Sequence, residues 1–590
     1  MHADVERFSF DQAKHFLRVI QQQGRVTLSA DGNEQAAILL HHLQSLAEDV
    51  IGPYGVLSPA AGGATAFRID LPASGQEAGF LRIGKGRFWV HGRPCENDTE
   101  GLLYTAQPDL PGARPPSNGR YLAYLDVWER HMSAAEDDSI REVALGTPDT
   151  CSRTRLVWQV RLTSAVPRGH KLTTDDIAAS WDKWEASLRP GSRGLLAVRA
   201  ARGTGPLEPC LADPAAGYRG LENQLYRVQI HRGAEGAGGP TFTWSRDNGS
   251  VVHPLLRLTG TTAVLRDPPL DRRTALTVGT LVEIVDDHST LGGLPGTLAR
   301  VTGVDDEGDD YAVVLSQGPG EDIGPDRHPL LRRWDHPDTD GGGDLPQRAD
   351  DGALRLQAQD PAGWLTLEDG VQVRFQPPGV GAAYRTGDYW TFPARTATGD
   401  VTWSRDAAGH PVPSPPHGVE HAYAPLAVVT VTSGKATAVS DCRVKPVQLT
   451  LTPTLTAVGS RPWNHDLGVA LRPPGADIAV GMMSVALPQG AVLRGMRVYG
   501  HKDKGNLFVN LHRQALAPNG GSDLLLFTLQ PANGDFDPTD PTTPEVPAGD
   551  EFTVRNDKYR YYITAELDGA GTDQIVAVRL TGFQITYTAY

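Results

Sequence analysis

The run Tyr218–Gly233, YRGLENQLYRVQIHRG, followed by AEGAGGP (234–240) and TFTWSRDNGSVV (241–252), decides the reading of the fold. Leu225, Arg227, Gln229 and His231 alternate with Tyr226, Val228 and Ile230, the period of two expected of a half-buried strand. Phe242 and Trp244 alternate with Thr241, Thr243 and Ser245 in the same way, and the glycines between the two runs let the chain double back. The stretch predicts a β-hairpin. Asp247-Asn248-Gly249 predicts a further reversal, because Asn and Gly accept positive φ at little cost.

Outward from this hairpin, short apolar runs separated by turns recur throughout a chain of 590 residues that contains 65 Gly and 45 Pro. Single cores stop growing near roughly 250–300 residues, so the expected fold is mainly β and multidomain, with several β-sandwich or β-barrel-like units. Changes of composition divide the chain into an N-terminal arm and amphipathic helix (1–53), a β-rich unit (54–165), and a second carrying an inserted helix at 173–188 (166–345). A third β-rich unit (346–447) and a C-terminal jelly-roll-like sandwich (448–590) follow. The polar stretch Arg332–Gln347 marks the internal boundary, and Pro411–Gly418, PVPSPPHG, is expected to be a stiff linker.

A net charge of −15, from 55 basic and 70 acidic residues, opposes a nonspecific grip on nucleic acid or an anionic membrane. Cys95, Cys151, Cys210 and Cys442 lie far apart without a CxxC pair, so free thiols in a reducing cytoplasm are expected. No apolar run is long enough to span a bilayer, and the N-terminus lacks a signal-peptide pattern.

Phe8–Ile20 reads as a short helix or irregular arm. From Glu34 to Ile51 the chain reads as a helix on which Ala36, Leu39, Leu43, Leu46 and Val50 form a seam ended by Gly52-Pro53. That seam either packs on strands of its own subunit or serves as an assembly face, Leu39, Leu43, Leu46 and Val50 being its candidate contacts. In TTDDIAASWDKWEASL (173–188), Thr174 is the expected cap and Ile177, Trp181, Trp184 and Leu188 the buried stripe. The acids Glu136, Asp137, Asp138 and Glu142 lack calcium-loop spacing and read as a solvated loop or subunit contact. Asp286-Asp287-His288 and the 305–310 acid run sit in turn-like sequence and read as hydrated loop acids, and Trp334-Asp335-His336 has no positioned nucleophile or second acid beside it. Thr243–Asp247 and Thr402–Asp406 are the same five letters, a weak sign of related β units.

After Val447 the strands become regular: LTLTPTLTAVG (449–459), EFTVRNDKYRYYITAEL (551–567) and QIVAVRLTGFQITYTAY (574–590). Such spacing predicts a sandwich, with Tyr559, Tyr561 and Tyr562 as a candidate recognition surface. No hydrolase elbow, HExxH, Walker loop or Rossmann fingerprint is present, so no catalytic, cofactor or metal residues are assigned.

The pivot, together with FDQAKHFLRVIQQQGRVTLSADGNEQ (10–35), YLAYLDVWERHMSAAEDDSIREVALG (121–146), GDYWTFPARTATGDVTWS (387–404) and HAYAPLAVV (421–429), resembles a family of uncharacterised bacterial proteins. Its members sit among components of phage tails and extracellular contractile injection systems. The C-terminal portion looks like sandwich modules at the ends of trimeric phage fibres. The resemblance implies that setting, a particle assembled in the bacterial cytoplasm and open to release from it; the amphipathic N-terminal arm, the several β units and the terminal sandwich together give the expectation of a non-enzymatic structural component at its baseplate, spike or tail fibre. The implied partners are copies of itself as a homotrimer, baseplate, sheath and tube proteins, and a cell-surface glycan. A glycan-acting enzyme or effector cargo, and a free-standing carbohydrate-binding protein, are the alternatives.

Overall fold

The computed structural model describes residues 1–588 apart from 57–64, 72–79, 115, 146–148, 190–193, 202–216, 235–237, 306–309, 337–345, 357–362, 377–382, 445, 518–520 and 537–549. Cys210, part of the 305–310 acid run and most of the expected internal boundary lie outside the described residues.

The predicted hairpin forms. The Gln224–Arg232 strand pairs antiparallel with Thr241–Ser245, Val228 opposite Trp244 and Ile230 opposite Phe242. Its other edge pairs with Tyr389–Arg395, so it lies at the centre of a five-stranded sheet. The side bearing Tyr226, Val228 and Ile230 packs with Phe242, Trp244, Trp390 and Phe392 against a three-stranded sheet of Leu195–Ala200, Val371–Gln376 and Leu365–Thr366. The polar side is covered too: Arg227 and His231 are buried, which corrects the half-buried expectation.

The reversal at Asp247–Gly249 leads into a closed six-stranded barrel built from residues between Val252 and Trp334. Val282, Ile284, Ala299, Val301, Val313 and Leu331 form its core. The Leu330–Trp334 strand closes it and is buried throughout, so Arg332–Trp334 belong to the barrel and not to the expected boundary.

Around both lies an outer unit whose strands come from distant parts of the chain. Gly119–Met132 pairs on one edge with Arg153–Thr163 and on the other with Ala422–Thr432, in a sheet completed by Lys435–Asp441. Strands from 54–165 therefore share a sheet with strands from 346–447, and strands from 166–345 share one with 354–401. The units are nested insertions and do not follow the linear division. Phe88, Val90, Leu125, Val127, Leu426 and Val429 form the outer core. Pro411–Gly418 is tied down, with Ser414 exchanging backbone hydrogen bonds with Leu196 at 2.9 and 3.1 Å.

Helix α1 spans Ser29–Ile51. Within Phe8–Ile20 the only helical turn is a 3-10 turn at Gln12–Lys14. The predicted helix at 173–188 divides at Ser180 into α2 (Thr174–Ala179) and α3 (Trp181–Leu188). Its cap is Thr173, whose hydroxyl accepts from Asp176 N, and not Thr174. Ile177, Trp181 and Trp184 pack on Leu122, Tyr423 and Val428 of the outer sheet, as their spacing predicts. Helix α4, Asp287–Gly292, docks the barrel on that sheet, Leu291 packing against Trp128 and Val157.

Residues 446–588 form a sandwich of a six-stranded and a five-stranded sheet, its core including Leu493, Leu511, Ile563 and Phe583. The Pro446–Leu451 strand pairs with the last strand, Val578–Thr588, which places the sandwich's first element at the expected boundary.

Candidate functional site

A cavity of about 740 Å³ opens where the outer sheet, the central sheet and the barrel meet. The period of two explains one wall: with Tyr226, Val228 and Ile230 in the core, Arg227, Gln229 and His231 must line the opposite face. The outer sheet contributes Asp126, Glu129 and His131, and the barrel contributes Glu283 and Arg332.

Two guanidiniums are anchored on one turn. Arg227 Nη1 donates to Asn248 Oδ1 at 3.3 Å and to Met1 O at 3.0 Å, while its guanidinium lies 3.7 Å from the centre of the Tyr389 ring. Arg332 Nη1 donates to Gly249 O at 2.6 Å. Asn248 holds the turn at φ 53° and donates to Ala3 O at 2.9 Å, so the N-terminal residues run into the centre of the molecule. Among the described residues no carboxylate lies within ion-pair reach of Arg227 or Arg332. Burial pushes Arg227 down to about 9 and lowers Arg332, and burial with the nearby cations brings His131 down to about 4.

Several other groups around the cavity are paired. Glu283 accepts from Trp334 Nε1 and from Gly296 N, each at 2.9 Å, and stands 3.5 Å from His231 Nδ1. Burial works to raise this carboxyl, but His231, Arg332 and Trp334 overcome it and hold it below its ordinary range. His421 Nδ1 lies 2.6 Å from Asp126 Oδ1, its ring stacked on Trp128. Arg130 pairs with Asp287 at 2.5 Å, and Asp286 caps α4. Asp286 and Asp287 are therefore a cap and an inter-unit clamp, not hydrated loop acids. His336 is buried and neutral, pushed down to about 3 by burial.

The acids after Ser133 divide their roles: Glu136 accepts from Ser133 N at 2.8 Å and Asp137 caps a 3-10 turn. Arg141 reaches Asp267 of the barrel at 3.0 Å. No metal-binding group of His, Cys, Asp and Glu occurs among the described residues.

The α1 seam is outside the core. Leu39, Leu43, Leu46 and Val50 are 54, 64, 61 and 77% exposed, so packing on the chain's own strands is excluded as their role. Ala30 and Ile38 are the helix's buried residues. Gly92, at φ +70°, abuts the helix so closely that a Cβ there would lie 2.2 Å from Gln44 O. The N-terminal arm runs beside the helix, with Val19 N donating to Gln35 Oε1 at 2.8 Å, and leaves Phe16, Leu17 and Ile20 exposed.

The three tyrosines do not share a surface. Tyr561 is a core residue whose hydroxyl accepts from Arg555 N at 2.9 Å. Tyr562 points the other way and stacks on His512, and Tyr559 lies beneath Arg513 at the sandwich edge. The repeated word also diverges: Trp244 is buried in the central sheet, whereas Ser404, Arg405 and Asp406 are exposed at its edge. The sequence does not announce the cavity; the alternation of Arg227, Gln229 and His231 and the arginines of LLRRW (330–334), of which Arg332 lines it, are the local signals of its polar wall.

No curated protein matches the chain. Among solved structures it is similar to a structure of infectious bursal disease virus, Gx strain, at 10% identity over 68% of this chain and 70% of that one, with a TM-score of 0.14. The mosquito-larvicidal Cry4Aa toxin of Bacillus thuringiensis is similar at 10% identity over 70% and 62%, with a TM-score of 0.13. Scores this low carry no inference. Residues 1–191 and 191–491 match a family of unknown function, DUF6519, and the chain belongs to that family.

Proposed function

We propose that the protein is a non-enzymatic structural component of a phage-tail-like contractile injection particle, built into its baseplate, spike or fibre as a homotrimer. The observation that carries this reading is the exposed seam of α1. Ala36, Leu39, Leu43, Leu46 and Val50 follow spacings of three, four, three and four, the repeat of a coiled-coil face. Leu40, also exposed, widens that face beyond a two-helix seam. Twelve large apolar side chains between Phe8 and Val50 are 36–84% exposed. At ordinary side-chain areas they present on the order of 1,000 Å², against about 800 Å² per partner in a standard interface. Closed symmetry among identical chains is the commonest way to cover such a face. The sequence likeness to tail-particle proteins supplies the setting, and the sandwich, with Tyr562 on the face of its five-stranded sheet opposite Tyr561, is the end assigned to a target surface.

The test is the state of the purified chain and its fractionation. A trimer that co-sediments with sheath and tube proteins is the expected result; a monomer absent from particles would sink the reading.

One observation favours a second reading, a glycan-acting enzyme or effector of such a particle: the central cavity gathers ionisable side chains. Glu283, Asp126 and Glu136 already accept hydrogen bonds from neighbours, which weighs against a free acid–base pair there. Turnover in a polysaccharide panel, lost on replacing Glu129 or Glu283, would favour the enzyme.

A further inference from the structure

We propose that the central cavity is a binding site for a small oxyanion, a carboxylate- or phosphate-bearing molecule held between the guanidiniums of Arg227 and Arg332. Arg227 is 2% and Arg332 8% exposed, and burying an unpaired guanidinium is costly. Paired guanidiniums elsewhere in the same molecule show what compensation looks like: Arg130 has Asp287, and Arg333 has Asp247 at 2.9 Å. Arg227 and Arg332 have backbone and amide oxygens instead. Among the described residues the one acceptor of Arg332 is Gly249 O, which leaves its other N–H groups available to a ligand in the cavity.

Their surroundings add donors. His131 Nε2 and His2 Nδ1 are shut off from solvent and meet no hydrogen-bond partner, and both residues line the cavity. The turn at Asn248-Gly249 fixes both arginines through separate hydrogen bonds, so the fork geometry is set before a ligand arrives. Glu129 also lines the cavity and disfavours ligands of high negative charge. The volume of about 740 Å³ exceeds what one inorganic ion needs and suits an oxyanion carried on a small organic body. The site is independent of the assembly reading, since it lies between units of one chain.

Three probes distinguish the source of the oxyanion: inorganic phosphate, sulfate and glucuronate, each titrated against the full chain at constant ionic strength, with chloride as the reference. Saturable heat by calorimetry is expected for at least one, with affinity lowered at least tenfold in Arg332→Gln and less in Arg332→Lys. Circular dichroism and the melting profile establish that the variants fold. Should Arg332→Gln misfold, selenate soaked into wild-type crystals gives the answer by anomalous scattering: a peak between Arg227 and Arg332 supports the site. Equal behaviour of all three probes and chloride, together with selenate peaks confined to the outer surface, would overturn it. Trimer formation is unaffected by either outcome, which separates this test from that of the assembly.

Discussion

His91 Nδ1 stands 2.8 Å from Glu48 Oε1, on the last turns of α1, and the other nitrogen of the same ring stands 2.9 Å from Glu185 on α3. One imidazole therefore pins the exposed helix to the outer unit. Its pKa is raised, chiefly by the hydrogen bond to Glu185, and that of Glu185 is lowered, burial being outweighed by His91 and Arg189. A raised histidine contributes fully below its unfolded value of 6.5 and loses that contribution as pH climbs through the folded value; a lowered carboxyl contributes above 4.5. The clamp is strongest between these limits. His91→Asn, which tolerates the φ of 44° at this position, is expected to cost about 1–2 kcal/mol at pH 6 and less at pH 9. Exchange protection of α1 amides reads it; an equal loss at both pH values would contradict the clamp.

The seam variants Leu43→Asp and Leu46→Asp remove apolar surface that the single chain does not bury. Their unfolding midpoints at low protein concentration are expected within about 0.5 kcal/mol of wild type, while sedimentation shifts from trimer to monomer. A trimer that survives both substitutions would place the contact elsewhere.

Glu368 accepts from Tyr226 Oη at 2.8 Å and from Arg246 Nη2 at 2.7 Å, yet burial raises it to about 7. With the folded value above 4.5, its contribution is present below that pH and is lost as pH rises through about 7. Wild type is thus expected to lose on the order of 2–3 kcal/mol relative to Glu368→Gln between pH 4.5 and pH 8. Denaturant midpoints across that range measure it, and parallel profiles would refute the raised carboxyl.

Neighbouring tyrosines of the sandwich should respond differently. Tyr561→Ala empties a core position and is expected to cost about 3–5 kcal/mol. Tyr562→Ala loses a stacked surface ring on His512 and costs about 1 kcal/mol. Melting of an isolated 446–588 fragment, if it folds, or of the full chain by exchange in this region, compares them.

Local patterns announced what local forces build. The alternation in Gln224–Arg232, the stripe of Ile177, Trp181 and Trp184, and the β-branched run from Val447 all correspond to elements of the structure. Helix α1 is also legible, but periodicity reports that a face is apolar and not what covers it; Leu43 is exposed. Long-range pairing left no local trace, because Leu125 finds Ala424 through register and not through anything in either strand's own sequence. The cavity was hidden for the same reason: Arg227 and Arg332 lie far apart in sequence and meet through the Asn248-Gly249 turn. Tyr561 and Tyr562 show the cost of reading composition without parity.

Because Asp126 waits for His421, 295 positions downstream, the outermost sheet cannot be completed until almost the whole of its enclosed sequence has left the ribosome. The barrel, whose strands lie between Val252 and Trp334, has every partner it needs much sooner. Synthesis thus favours maturation from the inside outward, with closure entropy falling once the enclosed bodies have compacted and drawn their ends together. A chain arrested before Ala422 would hold a finished kernel inside an unsealed shell, its Gly119–Met132 strand still offering a bare edge.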